Sequence, residues 1–424
     1  MAVRLITVAS GPLAGGADAA GSMIARAVLA ESVPLASREI VDEDEGALTP
    51  ALRAAAESRG LVIVLAPAGG SAGEIVRRAL ARVTGSRLML NEKLLKLVEE
   101  DHARRGQAMP RRLDRLALLP QGAQLWPVPS GEPGWALETK SALIAVLPLG
   151  SPHLATLVDE RVRPLARERL GGGEARVART LLTTGLSPTD AEDRLGAWLG
   201  KEGPVTISCV VVDGDVWVRL TARAPSRQTA EAALAPVERA VTEALGVDCY
   251  GRDDDMLEGV VGRLLAERRL TLAVAESCTG GLLGHRLTNV SGSSGYFERG
   301  VIVYSNRAKE ELLGVPEALL RAHGAVSAPV AEAMASGVCQ ASGTRCGLAV
   351  TGIAGPEGGT PAKPVGTVFI AAAAPDGPEP NAPAKIDVRR FRFAGGREAI
   401  KSQSAQAALD MLRRALLRSA EPVR

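Results

Sequence analysis

Aromatic side chains are scarce: Phe, Tyr and Trp together make up 3% of the 424 residues. Without rings to stack on, the chain lacks the platforms that grip single-stranded nucleic acid, and its cores must be built from Ala, Leu, Val and Gly. An excess of charge of one sign is also missing, since 50 Lys and Arg stand against 48 Asp and Glu, a net charge of +2. That balance removes the electrostatic case for a nucleic acid or an anionic membrane as partner. Five cysteines, none in CxxC spacing, exclude a disulfide framework and a thiolate zinc site and fit a reducing cytoplasm. No apolar run approaches the roughly 18 to 20 residues needed to span a bilayer, so a soluble, cytoplasmic protein is expected. The opening stretch to Gly16 has Arg4 inside a short apolar run and Asp18 soon after, which reads as a first strand and its loop instead of a signal peptide.

What is present is an α/β rhythm. Across residues 1–168, apolar runs alternate with amphipathic stretches: Arg4 to Ala9, a helical pattern from Ala20 to Glu31, then the buried-type strand Leu61 to Leu65. This predicts a parallel sheet covered by helices. The run Gly171-Gly172-Gly173 marks a linker. Residues 174–252 predict a small α+β module with a packing or spacer role: a strand from Val177 to Thr183, a polar helix from Pro188 to Leu199, strands from Thr206 to Val212 and Val216 to Ala224 joined at Asp213-Gly214, and a helix from Arg227 to Leu245. After Asp253-Asp254-Asp255 a last α/β domain covers residues 256–418, from a helix at Met256 to Glu267 to one at Ile400 to Leu417. A proline-rich loop, Pro375 to Pro383, joins two of its strands.

The most specific segment is Ala275-Glu276-Ser277-Cys278-Thr279-Gly280-Gly281, which follows the apolar run Leu272 to Val274 and leads into a helical pattern. A strand that delivers a serine to the positive end of a helix lets Ser277 act as a nucleophile, while first-turn N–H groups hold developing negative charge or a phosphate. Three further segments have specific character: Tyr304-Ser305-Asn306 with Lys309, Thr351-Gly352-Ile353-Ala354-Gly355-Pro356 running to Gly359, and Lys363-Pro364-Val365-Gly366-Thr367. Thr351 closes the apolar strand Leu348 to Val350, and strand ends in α/β sheets are where ligands bind.

Ser277 needs a base, and the chain has four histidines, His102, His153, His285 and His323. His285 lies two turns further on and projects away. Lys309 is the better partner, because a desolvated lysine loses its proton near neutral pH and then accepts one from serine; His323 ranks second. Each feature taken singly has a plainer explanation: Ser277 or Thr279 as a helix N-cap, the glycines as turns, Tyr304 and Lys309 as a half-buried strand residue and a solvated helix residue, Cys278 as a small core group.

In order along residues 256–418, AESCTGG, the Gly292 to Lys309 run GSSGYFERGVIVYSNRAK, His323-Gly324-Ala325-Val326-Ser327, TGIAGPEGGT and KPVGT closely resemble the C-terminal domain of the CinA (competence/damage-inducible) family, whose members include nicotinamide mononucleotide deamidases. The resemblance implies hydrolysis of nicotinamide mononucleotide to nicotinic acid mononucleotide and ammonia, without metal or cofactor, by a homodimer. Ser277 would attack the amide carbon, Lys309 would be the base, and Tyr304 would assist proton transfer or hold the serine. N–H groups after Ser277, with Thr279 and Gly280, would stabilise the oxyanion, at about 3 kcal/mol per donor. Thr351, Gly352, Gly355 and Arg397 would position the substrate, with Arg397 or the 351–359 loop meeting its phosphate. The family's Pro-Gly-Asp-Arg-like run is Ala394-Gly395-Gly396-Arg397 in this chain, so the acidic neighbour of the arginine is missing.

Residues 1–168 resemble the family's N-terminal, molybdopterin-binding (MoaB/MogA-like) domain, through Leu90 to Pro110 and Leu118 to Pro127. In some members that domain is a metal-dependent ADP-ribose pyrophosphatase. The family's TGGLGPTxDD-like run, with paired aspartates suited to a hard cation and a diphosphate, is Ala66 to Ile75 here, with Glu74 at one carboxylate position and Ile75 at the other. The loop at Ala9 to Gly15 and the run Leu149 to Leu154 have also lost polar groups. The expectation is a domain that keeps its fold, lacks pyrophosphatase activity and serves in dimerisation or scaffolding. A non-catalytic, nucleotide-sensing scaffold and an active pyrophosphatase are the alternatives.

Overall fold

Runs of Val, Leu and Ile form the central strands of the larger sheets. The structure is a computed structural model, and it describes residues 2–9, 13–67, 70–106, 108, 115, 117–171, 174–377 and 384–418. The chain packs as two compact units, residues 1–177 with 222–233, and residues 178–221 with 234–424. Gly172 and Gly173 of the expected linker, and residues 378–383 of the proline-rich loop, lie outside the described residues.

In the first unit β1 (Ala2–Val8), β2 (Leu35–Val41) and β3 (Gly60–Ala66) are followed by a two-stranded pair, β4 (Leu88–Leu90) with β5 (Leu118–Pro120), and then by β6 (Gln124–Trp126), β7 (Gly134–Glu138) and β8 (Ala142–Pro148). The main sheet has the order β2-β1-β3-β8-β7-β6. Its first four strands are parallel, as expected; β7 and β6 are added antiparallel. Leu61, Ile63 and Leu65 enter one apolar cluster, Val62, Val64 and Ala66 another. Both faces of β3 are therefore covered, at about 1.5–3 kcal/mol for each fully buried aliphatic side chain. That is why this strand reads as a continuous apolar run.

The middle module contains β9 (Ala175–Thr183), β10 (Val205–Val212), β11 (Asp215–Ala224) and β12 (Cys249–Arg252) in the order β10-β11-β9-β12. The turn between β10 and β11 places Asp213 at φ 52° and Gly214 at φ 93°, the left-handed pair a tight hairpin requires. The helix Pro188–Leu195 is shorter than expected, because Gly196 ends it.

The last domain holds β13 (Leu272–Glu276), β14 (Phe297–Ile302), β15 (Cys346–Gly352), β16 (Thr367–Pro375) and β17 (Ala384–Arg392), in the order β14-β13-β15-β16-β17. β14, β13 and β15 are parallel; β16 and β17 continue antiparallel. The helix Arg397–Arg418 buries Ile400, Ala405, Leu409, Leu412 and Leu416. It begins three residues before the expected start, so Arg397 is helical. Its far end is tied to the middle module: Arg413 and Arg414 donate to Asp410, and Arg414 also donates to Asp248 at 2.6 Å and to the Thr184 carbonyl at 3.0 Å. Among the described residues, no helix is long and apolar enough to cross a membrane.

Candidate active site

Parallel strands bring their carboxyl ends to one edge of a sheet. Here Glu276 of β13 pairs in register with Ile302 of β14 and Val350 of β15, so Ser277, Val303-Tyr304 and Thr351 emerge side by side. The Ser277 N–H donates to the Val350 carbonyl at 2.9 Å, and the Val303 N–H donates to the Glu276 carbonyl at 2.8 Å. β16 starts at the same edge, where the Gly366 N–H donates to the Ile353 carbonyl at 2.8 Å. Gly366 has φ 89°, and a Cβ there would stand 2.0 Å from the Phe393 carbonyl oxygen. Only glycine lets the KPVGT segment close against its neighbour.

Ser277 and Lys309 meet at this edge. Lys309, from the helix Asn306–Leu313, is 1% exposed. Its Nζ donates to the Val303 carbonyl at 2.7 Å, to the Tyr304 carbonyl at 3.4 Å and to Ser277 Oγ at 3.3 Å. Among the described residues no carboxylate forms an ion pair with it. Burial lowers the Lys309 pKa below its ordinary value, against a smaller opposing effect of the Cys278 thiol. Each of its three N–H positions has an acceptor, the two carbonyls and Ser277 Oγ, and loss of the proton that faces Oγ would direct a lone pair at the serine. Cys278 is no competitor as a nucleophile, because burial pushes its thiol up to about 11, which leaves it protonated at neutral pH.

The helix after Ser277 corrects one expectation. It starts at Leu282, beyond a turn, and neither Ser277 nor Thr279 caps it. Its amino end is occupied from inside: the Glu276 carboxylate, 2% exposed, accepts the N–H groups of Gly281 at 3.0 Å, Leu283 at 3.1 Å and Gly284 at 2.8 Å. A carboxylate placed there takes the helix's positive end for itself, so these amides cannot serve an oxyanion or a phosphate. Of the next two amides, that of Cys278 lies against its own thiol, and that of Thr279 has no backbone acceptor among the described residues. The Thr279 hydroxyl is fully buried and lacks a partner too. Gly280, at φ 60°, donates its N–H to the Ser277 carbonyl at 3.1 Å and closes the turn.

Other expected site residues take positions around this pair. The Tyr304 hydroxyl does not hold the serine; it accepts from Arg397 Nη2 at 3.0 Å, and the residue is 62% exposed. The neighbouring Nη1 of Arg397 donates to the Gly355 carbonyl at 2.8 Å. Thr351 is buried, and its Oγ1 donates to the Ala325 carbonyl at 2.8 Å, tying β15 to the HGAVS segment. Gly352 is needed for packing, since a Cβ there would come within 2.7 Å of the Val368 side chain. His323 ends the helix Glu317–His323, and its carbonyl accepts from Lys363 Nζ at 2.9 Å. Two residues that sequence reasoning missed stand here. One is Glu276, whose acidic type just before a glycine-led helix start was the available signal. The other is Lys401, whose Nζ is 3.6 Å from where a Cβ on Gly280 would be.

The first unit has a cavity of about 340 Å³ at the carboxyl ends of β3 and β8, lined by Arg77, Asp101, His102, Glu132 and Trp135 among others. Glu74, the one remaining carboxylate of the altered run, makes ion pairs with Arg115 at 3.4 Å and Arg78 at 3.8 Å. With Ile75 beside it, this donor set does not fit a hard divalent cation.

Comparison with known proteins covers all three parts of the chain. Residues 254–416 match the CinA C-terminal domain, residues 178–251 the damage-inducible protein CinA KH domain, and residues 5–168 a domain described as "Probable molybdopterin binding domain". A CinA-like protein of Syntrophus aciditrophicus is 39% identical over 427 residues, covering 100% of both chains. The chain belongs to the CinA family. A CinA-like protein of Geobacter sulfurreducens is 41% identical over 378 residues, covering 89% of this chain and 90% of its own. A crystal structure of a CinA superfamily protein from Klebsiella pneumoniae is 34% identical with a TM-score of 0.35, covering 38% of this chain and 96% of that one.

The KH pattern of the CinA middle module was also missed in the sequence. KH modules grip a nucleotide backbone with a GxxG loop, and Gly200-Lys201-Glu202-Gly203 was the signal. Over residues 178–251, however, 7 Lys and Arg stand against 10 Asp and Glu, so the module carries a net negative charge.

Proposed function

We propose that this CinA protein is a nicotinamide mononucleotide amidohydrolase, with Ser277 as nucleophile and Lys309 as base. The observation that carries this reading is the buried Lys309 amine, which two backbone carbonyls hold against Ser277 Oγ at 3.3 Å. Ser277 Oγ adds to the carboxamide carbon while its proton passes to Lys309. The Cys278 and Thr279 amides face the developing oxyanion, a contribution of about 3 kcal/mol for each well-placed donor. Collapse breaks the C–N bond as Lys309 returns the proton to the departing nitrogen, giving ammonia and an acyl ester on Ser277. Water then attacks the ester, Lys309 takes its proton and passes it back to Oγ, and the carboxylate leaves.

Arg397 acts as a strut, joining the Gly355 loop to the Tyr304 ring so that both border the substrate. The first unit, in the same reading, has no metal-dependent pyrophosphatase activity, because Glu74 is engaged by two arginines and Ile75 offers no donor. The test is ammonia release from nicotinamide mononucleotide by wild type and Ser277→Ala. The variant is expected to lose activity on the order of 10⁴-fold; equal release by both would overturn the nucleophile assignment.

A further inference from the structure

The substrate proposed above carries a phosphate, and the usual acceptor for one, the positive end of the helix after the nucleophile, is closed by Glu276. The charge must then come from side chains. Arg397 is already part of the frame of the site, one terminal nitrogen donating to the Gly355 carbonyl and the other to the Tyr304 hydroxyl. One helical turn further on, Lys401 has no hydrogen-bond or ion-pair partner among the described residues. Positions four apart on a helix share a face, so Lys401 lies on the side of the last helix that Arg397 turns toward the site. Its Nζ stands 3.6 Å from the Cβ position of Gly280, over the turn that Gly280 closes onto the Ser277 carbonyl. Glu398, three residues before it on the same helix, makes no ion pair with it.

We propose that Lys401 is the specificity group for the phosphate of the substrate, with Arg397 a positioning residue; this rests on the amidase reading. An ammonium is a compact charge with three donors, and here none of them has an acceptor among the described residues. Such a group next to the nucleophile's turn selects a phosphorylated amide over its uncharged riboside.

Two measurements on the full chain decide this. In the first, ribose 5-phosphate is titrated calorimetrically into wild type, Lys401→Ala and Lys401→Arg. The expected result is binding by wild type, a loss of about tenfold or more in the alanine variant, and retention of most affinity in the arginine variant, which also controls for folding. Equal affinity in all three proteins, or no binding by wild type, overturns the proposal. In the second, Lys401→Ala raises KM for nicotinamide mononucleotide and leaves kcat/KM for nicotinamide riboside unchanged; an equal fall for both substrates overturns it. Wild type that binds ribose 5-phosphate but releases no ammonia from either substrate would remove the amidase reading and leave the phosphate site standing.

Discussion

The first unit and the last domain both gather loops at the carboxyl ends of parallel strands, yet they differ in what their polar groups are left to do. The cavity of the first unit is roomy, about 340 Å³, but the one carboxylate left in its altered run is tied to Arg78 and Arg115. In the last domain a lysine is buried beside a serine with no ion-pair partner among the described residues, and burial lowers its pKa. The volume of a cavity therefore says little about chemistry. The telling features are groups whose protonation the fold has shifted and donors that it has left without acceptors.

Several changes would break or sharpen this contrast. After Ser277→Ala, the largest effect is expected from Lys309→Met, which removes the base: kcat/KM for ammonia release falls about 10³-fold, with binding of ribose 5-phosphate retained. In the wild type, burial lowers the Lys309 pKa below 10.5, so the neutral fraction grows as pH rises through the lowered value. The rate should climb with pH and level off above it, and a profile flat over about pH 6 to 9 would contradict Lys309 as base.

Next comes Asp410→Asn, which leaves the buried Arg413 without its charge partner and should cost about 3 kcal/mol in urea unfolding. Glu276→Ala exposes three amides of a helix start and should cost about 1–3 kcal/mol, with a loss of activity because the Ser277 turn loosens. The smallest effect is expected in the first unit. Ile75→Asp adds one carboxylate next to a Glu74 already paired, and no ADP-ribose cleavage should appear with magnesium or manganese; cleavage would show that a single residue separates the two regions.

Much of this was legible in the sequence because it rests on local patterns. The continuous apolar run of β3 marks a strand covered on both faces, and Asp213-Gly214 marks a hairpin that needs two left-handed residues. The proximity of Ser277 and Lys309 was also expected, from chemistry and from family resemblance. Glu276 was harder to read, since its role depends on a turn that folds three later amides back onto its carboxylate. Lys401 was hidden by a helix boundary: with the last helix started at Ile400, Arg397 belonged to a loop, and the shared face of the two cations disappeared. Tyr304 was expected from family resemblance to assist proton transfer or hold the serine, whereas its hydroxyl accepts from Arg397.

The most direct test of the central claim measures both activities in one preparation of the full chain, in the presence of a chelator and then of added divalent metal. The account predicts ammonia from nicotinamide mononucleotide in both conditions, none from Ser277→Ala, and intact ADP-ribose throughout. Folded protein that releases no ammonia, or that cleaves ADP-ribose when metal is supplied, would contradict it.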